Sequence, residues 1–482
     1  MSSHKRNDDY DHHHHHHHRE LTRVRSDSHQ EFGIAPLGST IRKTKSQHSS
    51  VSSIGDTYSD LGSITSKGKF LKRTKSRKGE LKRKHGSRRE SFAQPIQDLL
   101  NEGDLNARNR RKSLSVSKSL KEKFSNSKVE TSSVMKSLKK MMFKTKSEPR
   151  IAVYDIGFDI FKKSEEDLLR AMQMMCKDFH LELVFGKDWT IFNNLTSAIK
   201  SNYRSNPFHN WYHAFSVAHM ATVFMVRNPC IPHTLGPRYH LAFIIAALGH
   251  DLNHPGNDNS FEINSHSALA ESYNHESVLE NYHVSILLQL LNEEDKNIFY
   301  LADPKVQSEI KDFMVEVVLA TDMKYHHESV KYLQDVDNVA RTIKNKLNRL
   351  SVMKAVMHAC DISGQCIDLP VAIAWEARIS KEMENQAKAQ KAQGIELPPH
   401  MDVETLTNSQ NRAVHQLGFI DNILLPLWGE IQRVFPSMKP LYTNLNLVVR
   451  KHYMLLHEEG EHAARLHALQ YENKSVFDDD LL

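Results

Sequence analysis

The sequence predicts an all-α protein in which a multi-helix domain, residues 151–472, follows a disordered basic N-terminal region, residues 1–150. Three observations support this fold class. Apolar residues recur at helical spacing after residue 150, as at Leu168 and Met172. Sustained alternation of apolar and polar residues, which is typical of strands, is scarce. Gly and Pro lie mainly where two helices would join, as at Gly236-Pro237.

The N-terminal region is predicted to be a disordered tail because it is rich in Ser, Lys, Arg and Thr and poor in large apolar side chains. Residues 1–150 carry 34 Lys and Arg against 16 Asp and Glu, a net charge of +18. Residues 151–482 carry 30 against 42, a net charge of −12. The histidine run His12–His18 is either a native low-complexity tract or a purification tag. Residues 473–482 are expected to form a frayed acidic end.

The composition of the tail indicates several candidate partners. Arg88–Ser91 and Arg110–Ser113 resemble sites for a basophilic protein kinase, and phosphorylation there would reduce the positive charge. The segment Val134–Phe143 can be drawn as a basic amphipathic helix, which makes an anionic membrane surface a candidate. The tail lacks interleaved aromatic residues, so specific nucleic-acid binding is not expected. Helical domains of this kind often pair, so a homodimer is a further candidate.

Several classes of protein are disfavoured by the composition. No apolar run reaches the roughly 18–20 residues needed to span a bilayer, and the N-terminus lacks the apolar core of a secretory signal. The four cysteines are too few for a disulfide framework in a chain of 482 residues. These features predict a cytoplasmic protein, with peripheral membrane attachment as an alternative.

The strongest chemical signal is the segment 248–256, Leu-Gly-His-Asp-Leu-Asn-His-Pro-Gly. The apolar run Ala242–Leu248 predicts a buried helix that delivers His250 and Asp251 to the interior at its C-terminal end. A buried histidine beside a buried carboxylate is costly unless its charge is compensated, and a divalent cation is the simplest compensation. The sequence therefore predicts a metal site here.

Further ligands are expected from other helices. His209 and His213 are four residues apart, so both are expected on one face of a helix or helical turn. Asp361 follows the apolar stretch Val352–Val356 and is expected to be a buried carboxylate. Any one of these residues alone is better explained as an ordinary surface or core residue. The combination in a helical body is what predicts a metal centre.

The segment His250–Phe261, HDLNHPGNDNSF, resembles the signature of the class I cyclic nucleotide phosphodiesterases, whose catalytic domain belongs to the HD superfamily. Four more segments resemble the family in the same order, namely Phe208–His219, Ser277–His283, Leu319–Met323 and Gln416–Trp428. The resemblance covers roughly residues 155–460 and implies the multi-helix phosphodiesterase catalytic domain.

The resemblance implies that the chain hydrolyses cAMP, cGMP or both to the 5′-monophosphate and thereby terminates cyclic nucleotide signalling. His213, His250, Asp251 and Asp361 would bind one divalent ion, usually Zn²⁺. Asp251 would also bind a second ion, Mg²⁺ or Mn²⁺, and a hydroxide bridging the two ions would attack phosphorus. His209 would be the general acid that protonates the departing O3′.

The family pattern also assigns supporting residues. Glu280 would orient His209 and a nearby water molecule. His254, His283 and Asp322 would support the metal ligands from behind.

The nucleotide base would be held by three residues. Gln416 would hydrogen-bond the purine edge, and Phe419 and Ile379 would sandwich the ring.

Four positions depart from the family pattern: Phe208, Gly364, His275 and His415. None of them removes a predicted metal ligand. Because the amide of a glutamine can present a donor or an acceptor, the choice between cAMP and cGMP stays open.

Three alternatives remain beside this interpretation. An HD-type phosphohydrolase acting on linear nucleotides would leave His209, Gln416 and Phe419 without a task. A cyclic-nucleotide-binding scaffold that has lost catalysis is disfavoured because every predicted ligand and acid is present. A helical scaffold with a basic nucleic-acid-binding tail would depend on nonspecific electrostatics alone.

Overall fold

All regular structure in the described part of the chain is helical. A computed structural model describes residues 154–155, 158–398 and 401–472. No strand occurs within these ranges, which confirms the predicted all-α fold. The predicted tail, with its kinase and membrane segments, and the predicted acidic end lie outside the described residues. Within the described ranges, no helix combines the length and the apolar character that a bilayer crossing requires.

Eighteen α-helices occur in the described ranges and are numbered here in chain order. They are α1 (Glu165–Asp178), α2 (Trp189–Ser201), α3 (Trp211–Arg227), α4 (Cys230–Gly249), α5 (Asn259–Asn264), α6 (Ala268–Ser272), α7 (Val278–Asn292), α8 (Pro304–Leu319), α9 (His326–Gln334), α10 (Val339–Thr342), α11 (Lys346–Asp361), α12 (Leu369–Ala392), α13 (Val403–Thr407), α14 (Ser409–Phe419), α15 (Leu425–Val434), α16 (Lys439–Asn444), α17 (Arg450–Glu458) and α18 (Glu461–Leu469).

Short 3₁₀ and π segments connect some of these helices. The 3₁₀ turns are Ile160–Lys162, Leu181–Leu183, Met323–Tyr325, Ser363–Gln365 and Pro436–Met438. The π segment Ile420–Leu424 joins α14 to α15, and Leu445–Val449 joins α16 to α17.

Helices α3 and α4 lie at the centre of the domain and pack against each other. The helix α4 breaks at Gly236, whose φ of 75° is non-helical, and Pro237 restarts it. From Leu241 to Gly249 every residue is buried, as expected for a helix that is apolar on all sides. A Cβ at Gly249 would lie 2.9 Å from Leu287 Cδ1, so any larger residue there would force the buried Leu287 side chain of α7 to shift.

The ends of three helices lie at the site described below. Helix α4 ends at Gly249, directly before His250, and this confirms the helix predicted from the apolar run. Helix α11 ends at Asp361 after a buried stretch. Helix α3 begins at Trp211, directly after its cap, Asn210. Helix α7 supplies His283 and Glu280, and helices α12 and α14 supply Glu382 and the predicted base-binding residues.

Candidate active site

The start of α3 places His209 and His213 differently from the sequence prediction. The side-chain oxygen of Asn210 accepts hydrogen bonds from the backbone N–H groups of Tyr212 (2.9 Å) and His213 (3.3 Å). Asn210 is therefore the N-cap, and the helix begins after it. His213 lies in the first turn of α3, whereas His209 precedes the helix. The expectation of one shared helix face was wrong because the cap lies between the two histidines.

His213, His250, Asp251 and Asp361 come together, and their ligating atoms all lie within 4.8 Å of one another. The Nε2 atom of His213 is 3.1 Å from Asp361 Oδ1 and 3.3 Å from Asp251 Oδ2. The Nε2 atom of His250 is 3.1 Å from each of the same two oxygens. Residues separated by up to 148 positions in the chain thus form one cluster.

The tautomer of His250 shows what this cluster needs. Its Nδ1 atom lies 2.8 Å from the carbonyl oxygen of Ala247, which can only accept, so Nδ1 carries the proton. In the neutral ring, Nε2 then directs a lone pair at oxygens of Asp251 and Asp361. Positive charge is required between these acceptors, either a proton on Nε2 or a metal cation, and two imidazole nitrogens with two carboxylates are a donor set suited to Zn²⁺ and similar ions. The residues therefore fit a divalent metal.

The electrostatic balance of the cluster shows the same demand for positive charge. Burial lowers the pKa of His250, but Asp251 and Asp361 outweigh burial and raise that pKa well above its ordinary value. Burial raises the pKa of Asp361, but His250 and His213 outweigh burial and lower it overall. The two carboxylates thus stay ionised, and their charge attracts cations to this position.

A second group of potential ligands adjoins the first through Asp251. Asp251, His254 and His283 also have ligating atoms within 4.8 Å of one another. The Nδ1 atom of His283 lies 2.7 Å from the carbonyl oxygen of Leu252, and its buried Nε2 atom, 3.6 Å from Asp251 Oδ1, has no hydrogen-bond partner among the described residues. Burial lowers the pKa of His283 to about 4, so its ring is neutral near pH 7. His283 thus presents an unused lone pair beside Asp251.

His209 is held by Glu382 of α12. Its Nδ1 atom hydrogen-bonds to Glu382 Oε1, while Glu382 Oε2 accepts from the backbone N–H groups of Phe208 (2.8 Å) and His209 (3.1 Å). The ring of His209 stacks on that of His254, with centroids 3.9 Å apart. Burial lowers the pKa of His209, but Glu382 and the more distant carboxylates of the cluster outweigh burial and raise it above the ordinary value.

Glu280 makes no hydrogen bond to His209, which is held by Glu382 instead, and the expected role of Glu280 toward a nearby water molecule stays a prediction. Both of its oxygens accept from Asn259 Nδ2, at 3.1 and 3.0 Å. Asn259 also accepts from the backbone N–H of Leu279 at 2.9 Å and thereby holds the start of α7, including Glu280, against α5. Burial and the nearby charge of Asp322 raise the pKa of Glu280 to about 8.

Asp322 lies behind the site, where it is held by its own neighbours. It accepts hydrogen bonds from the Ser277 hydroxyl at 2.8 Å and from the Lys324 backbone N–H at 3.0 Å. Ser277 has a φ of 40°, an uncommon value for a residue with a side chain, immediately before α7.

The three predicted base-binding residues lie on α12 and α14. Gln416 and Phe419 are three residues apart on α14, and Gln416 Nε2 is buried with no hydrogen-bond partner among the described residues. Ile379 lies on α12, one turn before Glu382, and both Ile379 and Phe419 are half-buried. Because residues three apart share a helix face, Ile379 adjoins the residue that holds His209.

Comparison with known proteins places this arrangement in a family. Residues 208–445 match the family model described as 3′5′-cyclic nucleotide phosphodiesterase. The human "High affinity cGMP-specific 3′,5′-cyclic phosphodiesterase 9A" is 30% identical over 285 residues, which cover 59% of this chain and 47% of the human protein. A Drosophila melanogaster "3′,5′-cyclic-AMP phosphodiesterase, isoform F" is 32% identical over 248 residues, or 49% of this chain and 36% of that protein. The chain thus spans about half or less of the length of these two relatives.

A solved structure is similar in fold. The crystal structure of the phosphodiesterase domain of the Salpingoeca rosetta rhodopsin phosphodiesterase superposes with a TM-score of 0.61 at 26% sequence identity. The match covers 67% of this chain and 95% of that domain.

Proposed function

Because residues 208–445 match the 3′,5′-cyclic nucleotide phosphodiesterase family model, we propose that this chain hydrolyses cAMP, cGMP or both to the 5′-monophosphate. The observation that carries the proposal is the cluster of His213, His250, Asp251 and Asp361 next to His209. Relatives named for cGMP and relatives named for cAMP match at similar identity, so both nucleotides are proposed.

Two divalent ions would complete the site. His213, His250, Asp251 and Asp361 would hold the first, proposed to be Zn²⁺, because they supply two imidazole nitrogens and two carboxylates. Asp251 would also hold the second, proposed to be Mg²⁺ or Mn²⁺. When bound, the ions would lower the pKa of a water molecule and neutralise negative charge on the phosphate.

His209 would supply the proton that the leaving O3′ requires. Since Nδ1 is bonded to Glu382, the nitrogen left for proton donation is Nε2. The Glu382 carboxylate favours the imidazolium form, so the acid remains charged at higher pH than a free histidine. Burial and the neighbouring His209 hold the pKa of His254 well below its ordinary value, so the stacked pair carries one charge rather than two.

Substrate contacts are proposed for the two walls formed by α12 and α14. The unpartnered, buried amide nitrogen of Gln416 would hydrogen-bond the purine, which would satisfy a polar group that is otherwise costly to bury. Phe419 and Ile379 would contact the faces of the ring. Asp322 and His283 would support the cation sites from behind.

The domain organisation is also part of the proposal. Residues 151–472 would form the catalytic domain and residues 1–150 a regulatory tail that is a substrate for a basophilic kinase, with a homodimer and peripheral membrane contact as further candidates.

Hydrolysis of cAMP and cGMP, measured side by side, tests the proposed function. The purified full chain is treated with a chelator and assayed with and without restored Zn²⁺ and Mg²⁺. We expect metal-dependent release of the 5′-monophosphate, and the ratio of the two kcat/KM values gives the base preference. If the metal-loaded chain turns over neither nucleotide, the proposal is wrong.

A further inference from the structure

An ion pair between a buried glutamate and a half-buried arginine joins the two helices that carry the proposed base-binding residues. Glu376 of α12 is 6% exposed, and its Oε1 atom lies 3.2 Å from Arg412 Nε of α14. The same oxygen accepts a hydrogen bond of 2.7 Å from the Ser380 hydroxyl, one turn further along α12. The carboxylate is therefore compensated by one cation and one hydroxyl, as a buried charge requires.

The ion pair lies one helical turn from the base-binding residues on both sides. On α14, Arg412 precedes Gln416 by four residues, so the two share a face. On α12, Glu376 precedes Ile379 by three residues, and Glu382 follows Ile379 by three. The ion pair thus links the wall that carries Gln416 to the wall that carries Ile379.

The position of Gln416 is set by the helix that carries it. Its amide nitrogen has no protein partner among the described residues, so no hydrogen bond from that nitrogen fixes where the amide lies. Its position therefore follows that of α14. Arg412 joins the face of α14 that carries Gln416 to Glu376 of α12.

We propose that the Glu376–Arg412 ion pair is a positioning pair that sets the spacing between Ile379 and Gln416 and thereby determines how tightly the nucleotide base binds. The inference rests on the proposed function, because it takes the space between these helices to be the base site. The ion pair is not among the residues assigned to the reacting phosphate, so we expect its contribution to the binding free energy to be the same in the ground state and in the transition state. Loss of the pair should raise KM and leave kcat nearly unchanged.

The variants Glu376→Gln and Arg412→Met test the pair from both sides. We expect either change to raise the KM for the preferred nucleotide by about tenfold, equivalent to about 1.4 kcal/mol, with kcat within about twofold of wild type. Arg412→Lys keeps the charge and should restore most of the affinity. The double variant should resemble either single variant, because both remove the same interaction.

A second ion pair gives a matched control. Lys354 of α11 and Glu316 of α8 also join two helices, with 3.0 Å between Lys354 Nζ and Glu316 Oε2. Lys354→Met and Glu316→Gln should leave KM unchanged. Since Arg412 is only half-buried, Arg412→Met remains informative if Glu376→Gln does not fold.

A binding measurement separates this proposal from the proposed function. Calorimetric titration with cAMP and with cGMP, in a His209→Ala background that slows turnover, gives Kd directly. We expect Arg412→Met to weaken Kd by the same factor as KM. Wild-type turnover with an unchanged KM and Kd in the variants would overturn the ion-pair proposal alone. A fall in kcat without a change in KM, or failure of cAMP and cGMP to bind the parent chain, would also overturn it.

Discussion

Glu382→Gln should move the alkaline limb of the pH–rate profile to lower pH. The glutamine oxygen would accept from the backbone N–H groups of Phe208 and His209, as Glu382 Oε2 does now. The amide NH₂ would then face His209 Nδ1 and donate to it. His209 would lose the anion that favours its imidazolium form and would become a neutral, much weaker acid.

The size of the shift follows from the geometry. An opposite charge within about 4–6 Å typically shifts a pKa by roughly 1–3 units. The side chain of His209 is 24% exposed, so solvent screens part of the interaction, and loss of the Glu382 charge lowers the pKa of His209 while Asp251 and Asp361 still favour its charged form. At a pH above the pKa of His209 in both proteins, the protonated fraction falls about tenfold for each unit by which the pKa is lowered, so the rate at pH 8–9 should fall by about tenfold or more.

The assay is kcat/KM between pH 5.5 and 9.5, with metal content measured on the same samples. Metal content should not change, because Glu382 is outside the cluster of His213, His250, Asp251 and Asp361. Glu384→Gln is the matched control, since Glu384 lies on the same helix and pairs with Lys381 and Lys388. An unmoved alkaline limb, or a rate loss equal at every pH, would refute this account of His209.

Three further predictions concern other parts of the domain. Asp361→Ala should lose bound metal and reduce turnover by at least about a hundredfold, because a carboxylate ligand is gone; mass spectrometry of the native protein would contradict this if full metal loading were retained. Gln416→Ala should raise KM by about tenfold while metal content stays at the wild-type level, and a lowered metal content would argue against a role in base binding. Burial lowers the pKa of His240 to about 3. Below pH 6.5 the unfolded chain therefore binds a proton at this histidine that the folded chain does not bind, and the free energy of unfolding decreases as the pH is lowered. His240→Leu should therefore reduce the difference in unfolding free energy between pH 7 and pH 5 by about 2 kcal/mol in urea titrations, and an unchanged difference would show that another group is responsible.

Much of the metal cluster was predictable because its residues follow strong apolar runs. The run before His250 and the run before Asp361 each correspond to a buried helix that ends at or beside the polar residue. A polar residue at the end of a buried helix stays in the interior, so sequence pattern and burial agree. The all-α fold was predictable because apolar residues recur at helical spacing and strand-like alternation is scarce.

The surroundings of His209 were not predictable from spacing. An i, i+4 pair suggests one helix, but Asn210 is a strong N-cap and starts the helix between the two histidines. Glu382 lies 173 residues from His209, and a glutamate in the polar sequence of α12 is typical of an exposed helix face. The one available indication that Glu382 lies at the site was its position one helical turn after Ile379, which was predicted to contact the base. Glu280 was expected to orient His209, but nothing in the sequence reveals that its carboxylate binds Asn259 instead.

The three-helix origin of the metal cluster has a consequence for how the domain is assembled. His213 and Asp361 lie 148 residues apart, so an ion held between them would act as a cross-link that closes a very long loop. A cation that binds the folded chain at a hundred times its Kd adds about 2.7 kcal/mol to stability. A nascent chain that ends before α11 has only three of the four donors. Metal loading would therefore be a late event in biosynthesis, and scarcity of metal in the cell would lower the amount of folded protein as well as its activity.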